Sequence, residues 1–194
     1  MRVLVLFAHP LKTSFVSALH VRIVETLRQR GHVVDDLDLY VEGFNPVMSA
    51  QTLANYLDTS VNRAEVAPYV ERVLAAEALV LVYPVWFDGL PAILRGFFER
   101  VFLPGVSIRI DENGRFLPTL SKIQRLTAVC TYGASHAHTN RMGDPPRRFV
   151  ERNLGALIAP GGRLDYIARY AMDSTTPLRR AKFLERVTRA FNAW

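Results

Sequence analysis

Apolar residues in this chain fall into two alternating kinds of segment. Short runs rich in β-branched and aliphatic residues, Arg2–Ala8, His32–Leu39, Ala78–Tyr83, Arg125–Thr131 and Arg163–Arg169, read as strands. The first has no period-two alternation, which suits a strand buried on both faces of a parallel sheet. Between the runs, apolar positions recur at helical spacing. Phe15, Ala18, Leu19, Ile23 and Leu27 mark a helix over Ser14–Arg30, with Ser14 as its cap and Gly31 as its stop. Further helices are predicted near Pro68–Ala76, Pro91–Phe102, Pro146–Leu157 and Pro177–Ala193. Strands alternating with helices call for right-handed crossovers, hence an α/β fold class with a five-stranded, parallel, doubly wound sheet in a three-layer sandwich. Two long connections interrupt the series. One spans residues 40–67, and the other, Ser107–Phe116, reads as a hairpin turning at Asn113-Gly114. Insertions of this size in a compact α/β domain usually belong to function.

Composition narrows the setting. About half of the 194 residues are apolar, enough for one core and few for two, so residues 1–194 read as a single domain. The longest apolar run falls far short of a bilayer span and no small-residue cleavage site follows Val3–Ala8, so a cytoplasmic protein without membrane insertion is expected. Cys130 is the only cysteine, which excludes an intrachain disulfide, and its apolar surroundings suggest a buried, inert thiol. The net charge of +6 is scattered along helical segments with no basic run interleaved with aromatics. Nucleic acid is therefore not an expected partner, whereas the positive field suits small anionic ligands.

Ligands of doubly wound sheets bind outside the carboxyl ends of the strands, so the loops after the first, third and fourth predicted strands are the ones to read. The first, His9–Phe15, matches neither GxGxxG nor GxxxxGK[ST]. It offers Thr13 and Ser14 at a helix start, with His9 and Lys12 beside them, a set suited to a phosphate; alternatively Ser14 only caps the helix. The loop from Tyr83 to Ala92 holds Trp86 and Phe87 between prolines and a glycine. Such aromatics can wall a flat ring system, or they can plug a core or cover a dimer surface. The loop Thr131–Thr139 begins with small residues that permit close approach, followed by His136 and His138. Their spacing resembles that of metal ligands, but no third ligand accompanies them, so no metal is expected and ring contacts or plain loop histidines remain.

Together these loops resemble the NAD(P)H:quinone oxidoreductases of the flavodoxin-like superfamily, the family of DT-diaphorase and the bacterial modulators of drug activity. The likeness is carried by AHPLKTSF at Ala8–Phe15, GHVVDDLDLY at Gly31–Tyr40, FNPVMS at Phe44–Ser49 and YPVWFDGLPAILRGFFERVF at Tyr83–Phe102. The resemblance implies that His9, Ser14, Phe15 and Val16 meet the flavin phosphate and ribityl chain. It places Pro84, Val85, Trp86 and Phe87 on the isoalloxazine ring, and Thr131, Tyr132, Gly133 and Ala134 at its pyrimidine edge. The implied chemistry is hydride transfer from NAD(P)H to the flavin and then two-electron transfer to a quinone in the same pocket. Gly133 and Ala134, assisted by His136 or His138, would hold the negative charge that grows on the reduced ring. Trp86, Ile108 and Ile110 would face the substrate. Val16 stands where the family often has asparagine, Asp88 where it often has phenylalanine, and Ala134 where a second glycine is common. The long 40–67 connection and the Asp173–Lys182 segment offer room for an adenosine half and favour FAD over FMN. A homodimer with the flavin at its seam is implied. Rival readings are an electron carrier, an ancillary regulatory subunit, and an azo- or nitroreductase.

Overall fold

A computed structural model describes residues 1–194. Its centre is a parallel sheet of β1 (Arg2–Phe7), β2 (Val33–Asp38), β3 (Ala78–Val85), β6 (Arg125–Tyr132) and β7 (Arg163–Arg169), in the order β2-β1-β3-β6-β7. Chain order reverses direction between β1 and β3, so the crossovers go to opposite faces and leave a crevice at that point. Separate apolar clusters lie on the two faces. One, around Leu4, Leu6, Leu81, Phe97 and Ala128, packs under α3 (Ala67–Ala75) and α4 (Ala92–Val101). The other, around Val3, Val5, Val80 and Val129, packs under α1 (Phe15–Gln29) and α7 (Pro177–Asn192). Every residue of β3 is buried, as its unbroken apolar run requires.

Pro84 lies in this central strand at no cost to the ladder. Pairing with β1 ends at Val82, and beyond it β3 pairs only with β6, so the side on which Pro84 lacks a donor has no neighbour. The acidic edge strand β2 is stabilised from three elements. Asp35 takes Arg72 of α3 (2.6 Å), Asp36 takes His20 of α1 (2.7 Å), and Asp38 takes Lys12. Ser14 caps α1 by accepting from the Ser17 amide (3.0 Å), and Gly31 takes φ +80°, as its stop position demands.

The 40–67 connection contains α2 (Ala50–Ala54) and a 3₁₀ turn at Ala64–Val66, and it is pinned to α4. A Cβ on Gly96 would meet the Cβ of Pro46 at 2.4 Å, and the buried Arg100 reaches Glu65 (2.6 Å) and the Asn45 carbonyl (2.5 Å). The hairpin is present as β4 (Ile108–Ile110) and β5 (Phe116–Pro118). Two expected features differ. The loop after β6 turns at His136 into the short helix α5 (His136–Arg141), because Ser135 caps it by accepting from the His138 amide (3.2 Å). The helix expected near Pro146–Leu157 is instead α6 (Pro145–Arg148), which widens to a π-helical stretch, Phe149–Leu154. Val150 and Leu154, four apart and so on one face, both lie in the core.

Candidate functional site

At the carboxyl end of β1 the chain breaks at His9-Pro10 and re-enters as α1. The Ser14 hydroxyl is committed to the helix cap, so donors for an anion come from the backbone. No carbonyl of the chain accepts from the amides of Phe15 or Val16, the orphan donors of a helix start. The Val16 side chain is in the core, which leaves only its amide for a ligand. His9 accepts the Leu11 amide on Nδ1 (3.0 Å), so its neutral ring carries the proton on Nε2 as a donor. Burial lowers the His9 pKa, partly opposed by the Leu11 bond. Lys12, read from sequence as a phosphate partner, is paired with Asp38.

The loop after β3 is a two-residue reversal. The Trp86 amide donates to the Gly89 carbonyl (3.1 Å) and the Gly89 amide to that of Trp86 (2.9 Å). Phe87 and Asp88 between them take φ +49° and +51°. Positive φ at both central positions is the signature of a type I′ turn, normally made by Asn-Gly. Here a phenylalanine is held in the left-handed region with its side chain fully exposed. The Trp86 ring lies 5.7 Å from that of His9, which joins this loop to the first.

A cleft of about 320 Å³ opens between Val85–Asp88 and Tyr132–Ala134, closed at one side by His138. No carbonyl accepts from the amides of Gly133 or Ala134. Beneath them Tyr132 Oη donates to Asp144 Oδ1 (2.7 Å) and lies 2.5 Å from Tyr166 Oη, while Tyr170 Oη donates to Asp144 Oδ2 (3.4 Å). Burial pushes the Tyr132 and Tyr166 phenols far up, that of Tyr170 up to about 12, and the Cys130 thiol beside them also up to about 12. These groups therefore stay protonated and hold the cleft floor rigid, and Cys130 is inert.

The structure thus brings together most of the sequence-derived site: His9, Ser14, Phe15 and Val16 at the helix start, and Val85, Trp86, Phe87, Tyr132, Gly133 and Ala134 at the cleft. Pro84 and Thr131 are buried strand residues behind it, paired with each other across β3 and β6. The two histidines part company. His138 lines the cleft, whereas the His136 ring lies tilted against that of Tyr170 (centroids 4.7 Å apart) outside it, because residues two apart on a helix do not share a face. Ile108 and Ile110 do not reach the cleft within one chain. Ile108 instead lines a groove with Phe98, Phe102 and Phe149, and Ile110 is exposed. Residues 40–67 line neither the cleft nor the groove beside Ser14, since Pro46 and Asn45 are packed on α4. The 40–67 connection therefore gives the expectation of FAD no support, and of the Asp173–Lys182 segment only Asp173 comes to the cleft, beside Gly133. Two residues not read from the sequence join the site: Asp144, the buried acceptor for its tyrosines, and Asp173. An Asp173 carboxylate oxygen lies 3.0 Å from where a Gly133 Cβ would be.

The comparisons with known proteins agree with this fold. A family model described as flavodoxin-like fold matches residues 1–158. An uncharacterized NAD(P)H oxidoreductase of Haemophilus influenzae is 34% identical over 133 residues, 68% of this chain and 64% of that protein. An FMN-dependent NADH:quinone oxidoreductase 2 of Photobacterium profundum is 28% identical over 83 residues, 43% of this chain and 40% of its own length. The structure of an NAD(P)H:quinone oxidoreductase from Methanothermobacter marburgensis superposes with a TM-score of 0.81 at 25% identity, covering 99% of this chain and 98% of that one. The chain belongs to the flavodoxin-like family, and within it is similar to NAD(P)H oxidoreductases. The matched stretch spans less than two-thirds of the length of either curated relative.

Proposed function

We propose that this chain is a flavoprotein that takes FMN and transfers electrons from NAD(P)H to a quinone. The observation that carries the reading is the junction of an anion-ready helix start with a flat, aromatic-edged cleft at the switch point of the sheet, linked through the His9–Trp86 contact. FMN is preferred to FAD because residues 40–67 line neither the cleft nor the groove beside Ser14, and the Photobacterium relative is named as FMN-dependent.

In this reading the amides of Phe15 and Val16 and His9 Nε2–H bind the phosphate. Trp86 and Phe87 orient the ring and exclude water from its edge. The amides of Gly133 and Ala134 donate to the pyrimidine edge, where negative charge gathers on reduction, with His138 as the nearest titratable partner. When bound, flavin supplies the capacity to accept a hydride from reduced nicotinamide and pass two electrons to the quinone. The Asp144–Tyr132–Tyr166 network keeps the donors in place, so little reorganisation is needed as charge develops.

The apolar edge of the site argues for a second copy beside it. Trp86, Phe87, Ile110 and Phe116 are exposed on one chain, and a twofold-related chain would cover them and bring its Ile108 and Ile110 to the substrate side.

The deciding experiment is an absorbance spectrum after incubation with FMN or FAD and removal of the excess, followed by anaerobic NADH or NADPH and then a quinone. Retained FMN whose yellow band bleaches with the nicotinamide and returns with the quinone is expected. Retention of neither flavin overturns the reading.

A further inference from the structure

The far edge of the sheet carries a second cleft. β7 pairs with β6 alone, and along its open side lies a cavity of about 530 Å³. Side chains alternate across a strand, so Tyr166 and Arg169 leave β7 on opposite faces. The cleft takes both, with Arg147 from α6 and Arg186 from α7, and so wraps the strand edge. Tyr170 and His136, their rings tilted by 58° with centroids 4.7 Å apart, form one wall.

The charge balance of this cleft is incomplete. Arg147 is satisfied by Glu151 (2.7 Å), but neither Arg169 nor Arg186 has a carboxylate within ion-pair distance. Arg169 spends one nitrogen on the Thr175 hydroxyl (2.7 Å), and its Nε is buried with no partner at all. Arg186 lies over the Phe183 ring, 5.9 Å from its centroid. The cleft therefore presents two guanidinium groups, Arg169 and Arg186, whose charge no acid of the chain balances, and their outer nitrogens are free to donate to an acceptor that the chain does not supply. The one buried acid nearby, Asp144, is behind Tyr170 and already takes Tyr132 and Tyr170.

We propose that this cleft is a second ligand site, for a nucleotide-type ligand bearing a phosphomonoester. The forks of Arg169 and Arg186 match phosphate oxygens, and the tyrosine and histidine rings offer faces to a base. The site adjoins the first: His136 lines one cleft and His138 the other, and the Ala171 amide donates to the Ala134 carbonyl (2.8 Å) between them. The same chemistry has two sources, the 2′-phosphoadenosine end of NADPH or a separate nucleotide.

Calorimetric titration of the full chain with 2′,5′-ADP tests this, with adenosine as the control. Binding is expected, with adenosine much weaker, and Arg186→Gln, on the exposed face of α7, should weaken 2′,5′-ADP by about tenfold or more, the loss expected for one charge-assisted contact. Displacement of 2′,5′-ADP by NADPH supports the site and assigns it to the reductant. Simultaneous binding of both supports it and assigns it to a separate nucleotide. Absence of 2′,5′-ADP binding, or binding unchanged in both Arg186→Gln and Arg169→Gln, overturns the proposal. The titration needs neither flavin nor turnover, so its failure and failure of the proposed function are separate results.

Discussion

At the scale of single residues, Phe87 shows a local cost retained at the site. A left-handed conformation costs an L-residue about 1–2 kcal/mol, and glycine returns part of that gain through its unfolded-state freedom. Phe87 packs against nothing within the chain, so Phe87→Gly should raise stability by about 0.5–1 kcal/mol in urea unfolding. The same change should weaken FMN by about tenfold, the scale of a lost aromatic contact, read by fluorescence titration. Unchanged FMN affinity would remove Phe87 from the site. His9 gives a pH prediction. Its folded pKa is lowered, chiefly by burial, and that of His32 is lowered by burial and by the amino terminus, Arg30 and Arg125. Well above the ordinary histidine pKa of about 6.5 both rings are neutral folded and unfolded, and neither affects stability. As pH falls below that, the unfolded chain takes up protons first, so stability drops through the lowered folded values. The double variant His9→Gln/His32→Gln should show a shallower decline in urea midpoint between pH 7 and pH 5 than the parent.

At the scale of elements, what was readable followed from periodicity and punctuation. Five strands and α1, α3, α4 and α7 lie where apolar spacing, Ser14, Gly31, Pro91 and Pro177 place them, because each is decided by local signals and one buried face. α5 escaped notice since it is only six residues long and holds a single buried side chain, Thr139, too little for a periodic pattern; its only sequence sign was the cap at Ser135. The widening to a π-helical stretch leaves no mark in the spacing of Val150 and Leu154, which an α-helix would also place on one face. The same holds for the 40–67 connection, whose attachment rests on a long-range contact between Pro46 and Gly96. A methyl at that position meets backbone as well as side-chain atoms of Pro46 at 2.4–2.7 Å. Gly96→Ala should therefore cost about 1–3 kcal/mol despite its better helix propensity. Thermal unfolding should fall by several degrees; an unchanged midpoint would mean that the connection moves away freely. Tyr132→Phe should cost about 1–2 kcal/mol in urea unfolding by leaving Asp144 one donor short.

At the scale of the whole molecule, the sheet order explains why the site was partly legible: loops after β1, β3 and β6 meet wherever a doubly wound sheet reverses, whatever their sequence. The order does not say which side of a loop helix faces in, and so His136 and His138 could not be separated, nor could the hairpin be placed against the cleft. Ile110 and Phe116 are exposed on neighbouring strands, beside the apolar groove that Ile108 shares with Phe98, Phe102 and Phe149. Exposed apolar residues of this kind, together with Trp86 and Phe87, form surface that a second copy would remove from water. Sedimentation should therefore give a pair of 21.9 kDa chains. Ile110→Glu combined with Phe116→Glu should shift it to the single chain, since charges facing their own copies across a twofold interface are desolvated and repel. If the partner's hairpin completes the quinone side, that variant should keep FMN yet lose most of its quinone turnover, because the helix start and the Trp86 turn belong to one chain and the substrate wall to the other. A parent that sediments as a single chain and still turns over would place the substrate wall within one chain, and would return Ile108 and Ile110 to the surface of the hairpin.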